Sequence, residues 1–293
     1  MTGVQTCALP ICQAVQTKFA STVQFEQTLL NLSPKMLSNV FIPKTIDAEA
    51  ASTSSKNVKK NNSMNFREIA CNTGVISGAS GSAFISFGET KVFCAVYGPR
   101  ANQRGAVSGP FSDSGLLECD VRISTANSHF LSSSTESRIS QQLRDALIPS
   151  VRLSSYPKAV ISIYAVVVQS GGSELAAVIS CASLALADAS IEINDLVCAA
   201  TVGLSRPNEG SGDLNPIFTV DPCREDYCDL VSVLTLSSMI SCDSALTHLS
   251  VEGYLSSHEF GPLLEIAKSG CTYLRSVLID CLKARQLKYV KMR

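Results

Sequence analysis

Apolar and polar positions along the chain fall into two successive rounds of strand-like and then helix-like patterning. Residues 82–87 (Ser-Ala-Phe-Ile-Ser-Phe) and 91–97 (Lys-Val-Phe-Cys-Ala-Val-Tyr) flank Gly88-Glu89-Thr90, which predicts a β-hairpin with a tight turn. Gly98-Pro99 is expected to end the second strand, and the Gly-rich, polar residues 101–114 read as loop. Residues 116–123 alternate as a half-buried strand does. Between 136 and 148, Ile139, Leu143, Ala146 and Leu147 recur at helical spacing, with Pro149 where that helix should stop. Residues 160–168 are rich in β-branched side chains and apolar on both faces, the pattern of a central strand. Residues 175–188 are small and apolar nearly all round, which predicts a buried helix. Strands at 196–204 and 217–220 and a run at 229–236 follow. A long amphipathic helix is expected over 256–287, starting near Ser256 or Ser257, with Leu263, Ile266, Ala267, Leu274, Val277, Leu278 and Leu282 inward. Strands followed by helix, twice over, predict an α/β (α+β) sandwich of two lobes around one core.

The N-terminal part of the chain reads differently. Residues 1–12 look like a translated cloning or sequencing adapter and are set aside. Residues 13–64 form an extension and linker, whose low-complexity run 50–63 carries Lys56, Lys59 and Lys60 among small polar residues that cannot bury enough surface to order themselves. A solvated linker explains that run more simply than a nucleic-acid-binding tail does. The folded domain is expected over 65–287, followed by a basic tail at 288–293.

Composition narrows the picture. The 45% apolar fraction of these 293 residues is enough for a core. The longest apolar stretches, 159–168 and 175–187, are separated by polar residues and are too short to cross a bilayer. A net charge of -1 leaves no field of the whole molecule to draw in a phosphate backbone, so any nucleic-acid contact must be local. The twelve cysteines are scattered through apolar segments, as at Cys94, Cys181, Cys198 and Cys271, and read as buried thiols. No C-x-x-C occurs and Cys223 and Cys228 have no paired histidine, so no metal site and no cofactor is expected. Reduced thiols and the lack of a recognisable signal peptide point to cytoplasm or nucleus.

Two segments could carry chemistry. The turn Gly171-Gly172-Ser173-Glu174 leads from a strand into a helix N-terminus, where free N–H groups and the helix dipole favour an anion. Glu174 puts its own carboxylate at that pole, so helix capping is the simpler reading. Asp221, Glu225, Asp226 and Asp229 cluster after a strand, as magnesium ligands or acid–base groups do, although a solvated acidic loop is commoner. His129, His248 and His258 stand apart and are expected to be surface or capping residues. There is no P-loop and no G-x-S-x-G elbow, and the Gly78 to Ser82 run leads into a strand, which excludes a dinucleotide fingerprint.

Taken together, Asn72-Thr-Gly-Val-Ile-Ser-Gly-Ala-Ser-Gly-Ser-Ala-Phe84, Gly88-Glu-Thr-Lys-Val-Phe-Cys-Ala-Val-Tyr-Gly-Pro-Arg100, Arg144-Asp-Ala-Leu147 and Leu184-Ala-Leu-Ala-Asp-Ala-Ser-Ile191 with Asp195-Leu196-Val197 resemble ribonuclease PH-type domains from about residue 65 to 283. The resemblance implies the ribosomal S5 domain 2-like fold with two related lobes. Active members of that family cut RNA from its 3′ end with inorganic phosphate. They use an arginine pair at the start of the central helix, an arginine in a Gly-Ser-Arg turn, and two aspartates six apart that bind magnesium. Carried onto this sequence, the arginine pair falls on Ser134 and Thr135, just before Glu136. The phosphate arginine falls on Glu174, next to Ser173. The first aspartate is Asp221, but the sixth position on is Tyr227, with Asp226 one place short. An anion facing phosphate at short range costs several kcal/mol at a protein-like dielectric constant.

The resemblance therefore implies a non-catalytic subunit of the kind found in the ring of the eukaryotic RNA exosome. Its expected partners are other ribonuclease PH-like ring subunits, cap proteins with S1 and KH domains, and an associated nuclease. RNA would pass through the assembled ring with weak, non-specific contacts at residues such as Arg100 or Arg104. Nucleus, nucleolus and cytoplasm are the implied compartments. The alternative is an active phosphorolytic exoribonuclease whose basic groups come from elsewhere, for example Arg122 or Arg138. A small-molecule kinase of the same broad fold would need a phosphate loop that the sequence lacks.

Overall fold

The computed structural model describes residues 66–101, 114–124, 133–206, 216–241 and 245–291. All of them belong to one compact unit, Val40–Arg293. The expected adapter and linker, with Arg104 and His129, lie outside the described residues.

The first lobe is a five-stranded sheet of order β1-β2-β3-β5-β4, built from β1 (Ile69–Thr73), β2 (Gly81–Phe87), β3 (Thr90–Ala101), β4 (Leu116–Ile123) and β5 (Ala159–Gln169). The hairpin register runs from Gly81 opposite Val96 to Phe87 opposite Thr90. β5 lies antiparallel to β3 and parallel to β4, so it has a hydrogen-bonded neighbour on each side. That placement is why residues 160–168 show no polar face. Helix α1 (Ser133–Leu147) connects β4 to β5, and the backbone N–H of Ile123 donates to Glu136 Oε1 at 3.0 Å and that of Val121 to Ser140 Oγ at 2.9 Å. Side chains of α1 thus satisfy donors of an edge strand that would otherwise be open to another chain.

The second lobe is a four-stranded antiparallel sheet of order β7-β6-β8-β9, from β6 (Val197–Ser205), β7 (Ile217–Val220), β8 (Leu230–Met239) and β9 (Ala245–Gly253). Helix α2 (Glu174–Asp188) packs against both sheets, with every residue from Ala176 to Leu186 buried. Its small side chains let the two sheets approach. Cys181 Sγ donates to Ala83 O in the first sheet, while Ser183 and Ser180 accept from Val197 N and Ala199 N in the second. Helix α3 (Ser257–Lys291) covers β6 and β8 and reaches β1, burying Leu263, Ala267, Cys271, Leu274, Val277, Leu278 and Cys281. A single buried cluster joins the lobes, as the two-round pattern predicts. No helix among the described residues is long and apolar enough to cross a membrane.

Two readings need correction. Gly98-Pro99 does not end the second strand, because β3 passes through a cis Gly98–Pro99 bond and resumes pairing at Arg100 after a register shift, where the missing proline N–H disturbs no ladder bond. β1 and β9 were not anticipated. β1 is only five residues long, and β9 is an edge strand of mixed polarity that lacks a clean period of two. His248 lies half-exposed on β9, with its Nε2 enclosed and without a hydrogen-bond partner.

The cysteine reading fares better. Cys94, Cys181, Cys198 and Cys271 are buried free thiols. Burial pushes the Cys119 thiol up to about 12 and Cys271 up to about 11, which keeps both protonated.

The start of α3 provides a pH dependence. Ser256 donates its hydroxyl to Glu259, whose carboxylate also accepts from Ser256 N at 3.2 Å and from Arg206 Nη2 at 3.0 Å, a capping box extended by an ion pair. These partners, the Ser256 hydroxyl first, hold the Glu259 carboxyl well below its usual range, at about 2. A depressed folded pKa gives stability that is complete above the unfolded value and is lost as pH falls toward the folded one. Glu259→Gln is expected to flatten the loss of thermal stability between roughly pH 4.5 and pH 2 relative to the parent, measured by circular dichroism melts across that range.

Candidate functional site

The turn between β5 and α2 and the segment after β7 are sewn together. Gly171 O accepts from Arg224 N at 3.0 Å, and Ser173 Oγ donates to Pro222 O at 3.2 Å. Thr90, at the head of β3, donates its hydroxyl to Gly172 O at 2.7 Å and accepts from Gly171 N at 3.2 Å. Backbone strain concentrates here. Gly172 has φ +99°, and Ser173 and Asp221 are non-glycine residues in the left-handed region, at φ +56° and +53°. Such conformations persist only where the surroundings over-determine them.

Arg67 forms the electrostatic centre. Its Nε donates to Asp221 Oδ2 at 2.8 Å and its Nη2 to Oδ1 at 2.6 Å, a bidentate fork. The same guanidinium donates to Gly171 O at 2.8 Å and to Gly172 O at 3.2 Å. Asp221 is almost fully enclosed, its side chain 2% exposed. Burial alone would lower the Arg67 pKa, but the hydrogen bonds and charge of Asp221 outweigh it and raise it.

The anion-binding pole of α2 is occupied by the chain itself. Glu174 Oε1 accepts from Gly172 N at 3.3 Å and from the Ser170 hydroxyl. The Ser173 N–H donates to the Tyr227 hydroxyl oxygen at 3.3 Å. Desolvation pushes the Tyr227 pKa up despite that bond, so the phenol stays neutral. Ser173 at the N-cap makes no side-chain capping bond, and the Glu174 carboxylate stands beside the helix pole bonded to the turn that precedes it.

The magnesium pair that the resemblance implies does not fit these residues. Asp221 gives both oxygens to Arg67, Tyr227 stands at the second position, and Asp226 Oδ2 turns back to accept from Cys223 N at 3.0 Å. Among the described residues no group of His, Cys, Asp and Glu side chains is arranged to hold a metal ion. Ser134 and Thr135 begin α1, Ser134 exposed and Thr135 half-buried, and neither offers a cation. Next to Glu174 and Tyr227 is a small cavity of about 110 Å³ lined also by Arg138, Gln142, Thr235 and Glu252. Arg138 pairs with Glu252, and Arg122 with Asp120 and Glu136, with both arginine side chains about half exposed. Arg100 lies apart from this cluster, at the exposed end of β3.

The structure places Ser173, Glu174 and Asp221 in one neighbourhood and adds Arg67 and Thr90, which the sequence reading does not name. A long-range partner leaves no local pattern: Arg67 and Asp221 are 154 positions apart.

The family described as RNase PH, "3′ exoribonuclease family, domain 1", matches residues 65–192. "Exosome complex component RRP41-like" of Arabidopsis thaliana is 32% identical over 222 residues, covering 74% of this chain and 80% of that protein. "Exosome complex component MTR3" of Homo sapiens is 32% identical over 226 residues, covering 72% of this chain and 80% of that protein. Among solved structures, rice (Oryza sativa) Rrp46 superposes with a TM-score of 0.62 at 21% identity, over 75% of this chain and 96% of that one. A chain of the Archaeoglobus fulgidus exosome with RNA bound to the active site gives 0.60 at 18% identity, over 73% and 89%. These two structures speak to the fold alone.

Proposed function

The chain belongs to the ribonuclease PH, or 3′ exoribonuclease, family, and we propose that within it this protein is a non-catalytic subunit of an RNA exosome ring. The observation that carries the reading is Glu174, whose carboxylate accepts the Gly172 N–H at the helix pole where the family places a phosphate arginine. A dianion entering there would meet an anion and would find the nearby Ser173 N–H taken by Tyr227. The tight Arg67–Asp221 fork and the misfit of the magnesium positions point the same way. Exosome components among the relatives support the ring assignment. Tyr156-Pro157-Lys158 and Gly171-Gly-Ser-Glu-Leu-Ala-Ala177 resemble the subunit called mRNA transport regulator 3 in particular.

In this role the protein holds neighbouring ribonuclease PH-like subunits side by side, supports cap proteins, and leaves hydrolysis to an associated nuclease in the nucleus, nucleolus or cytoplasm. The alternative, an active phosphorolytic exoribonuclease served by Arg122 or Arg138, finds both arginines engaged by carboxylates.

The test incubates the purified full chain, alone and reconstituted with ring partners, with 3′-labelled RNA, inorganic phosphate and magnesium. No nucleoside diphosphate beyond that released by the partners without this chain is expected. Phosphate-dependent release of nucleoside diphosphate by this chain alone would overturn the reading.

A further inference from the structure

Cys71 and Cys281 are buried thiols that meet across β1 and α3. Cys71 lies on the core side of β1 with 0% exposure, and Cys281 lies on α3 with 4%. Their side chains share a hydrogen bond, and neither is in a disulfide. Cys181 and Cys271 turn to the main chain instead, donating to Ala83 O and Leu236 O. Thiols of that kind fill a core. A pair in mutual contact has a second use, because loss of two electrons and two protons joins the two sulfurs covalently. Their place in the fold decides when that happens. Beyond Cys281 no described side chain of α3 is buried: Leu282, Ala284 and Arg285 are half-buried, and Gln286 and Leu287 are exposed. That end of the helix is held by the thiol contact and by the ion pair of Arg285 with Asp188, the last residue of α2. The other Asp188 oxygen accepts from Ser82 N at 2.9 Å. β1 is an edge strand of only five residues. Element ends that bury so few side chains open far more often than the whole domain unfolds. Closed, the pair is inert. The shared hydrogen bond, and burial after it, raise the Cys71 pKa, which withholds the thiolate that exchange requires. Opening of the last turns of α3 exposes both sulfurs to water and removes that protection.

We propose that Cys71 and Cys281 form a redox-operated staple, which fastens the end of α3 to β1 when a small-molecule disulfide reaches the opened helix end. The Cys281 thiolate attacks one sulfur of that disulfide, breaks its S–S bond and releases one thiolate, which takes up the proton that Cys281 gave to solvent. Cys71, as a thiolate, then attacks the Cys281 sulfur of the mixed disulfide. The second small thiolate leaves and is protonated in the same way. Two cysteine thiols are oxidised and one disulfide is reduced to two thiols, so the exchange balances without another oxidant. The new bond encloses nearly the whole folded domain, since β1 is the first described strand and α3 the last element. Cross-links that close long segments restrict the unfolded chain most. Nothing in this device depends on how the Glu174 turn is read or on the activity of the chain.

To test it, the full chain is incubated with oxidised glutathione under native conditions, remaining thiols are blocked with N-ethylmaleimide, and the unreduced digest is read by mass spectrometry. A cross-linked peptide pair carrying Cys71 and Cys281 is expected. The melting temperature should rise by on the order of 10 °C and fall back on adding dithiothreitol. Cys281→Ser should abolish both changes while leaving glutathione on the exposed Cys228. Arg285→Ala should speed cross-linking about fivefold, because it removes the ion pair that keeps the helix end closed. That variant retains both sulfurs, so it tests the idea even if Cys281→Ser misfolds. Cys71 and Cys281 remaining as thiols once Cys228 has fully reacted would overturn the proposal. So would a bond from either of them to a different cysteine, or an Arg285→Ala rate equal to that of the parent.

Discussion

Arg67→Ala is expected to destabilise the protein by about 3–5 kcal/mol, the cost of leaving a buried carboxylate without its partner. The size follows from the enclosure of Asp221, whose side chain is 2% exposed while both of its oxygens rely on one guanidinium. Three separate losses coincide in this one substitution. The carboxylate loses its counter-charge, Gly171 O and Gly172 O lose a donor each, and β1 loses its tether to the segment after β7. Gly171 O keeps Arg224 N, and Gly172 O keeps the Thr90 hydroxyl, so the carbonyls are the smaller part of the penalty. A melting temperature lower by on the order of 10 °C is the corresponding thermal signature for a domain of this size. Guanidinium denaturation of parent and variant measures it directly. The double variant Arg67→Met with Asp221→Leu separates charge from packing. It should recover most of the loss, because removing both members of a buried pair leaves no uncompensated charge. If Arg67→Ala shifted stability by less than 1 kcal/mol, Asp221 would have to be reached by water.

This ion pair also marks the border of what the chain's sequence makes legible. Strand β4 could be read from its alternation, and β5 and helix α2 from continuous apolar runs, because each pattern is local to the element. β9 could not. One of its sides is open, Leu246, Leu249 and Val251 are exposed, and Thr247, His248 and Ser250 break the alternation. At the site, Glu174 is readable because a carboxylate in the first turn of a helix acts locally. The bonds from Arg67 to Asp221 and from Ser173 to Tyr227 are set by how two lobes meet, and no spacing along the chain encodes them. Tyr227 was visible as a tyrosine where a carboxylate was expected. Its work as an acceptor for the helix pole became visible only in three dimensions.

The same closeness of two segments makes Gly172→Ala the second large effect. Gly172 has φ +99°, a conformation that L side chains rarely adopt, and a Cβ built there would stand 2.6 Å from Pro222 O and 3.0 Å from both Arg224 N and Cys223 C. All three are backbone atoms of the segment that follows Asp221, so no rotamer change relieves the contact. Strain at the dihedral contributes about 1–3 kcal/mol and overpacking about the same again, for a total of roughly 2–6 kcal/mol. The damage should be directional. Pushing residues 222–224 outward pulls Asp221 from the Arg67 fork and the Tyr227 hydroxyl from the Ser173 N–H, so the variant should be less than additive with Arg67→Ala. A denaturation cycle on parent, both single variants and the double variant measures that coupling. Full additivity would mean that the turn and the acidic segment are independent. A coupling of about 1 kcal/mol or more would mean that the glycine, the arginine and the tyrosine form one closed structure at the pole of α2. Opening that pole to an anion would then require dismantling the fold around it.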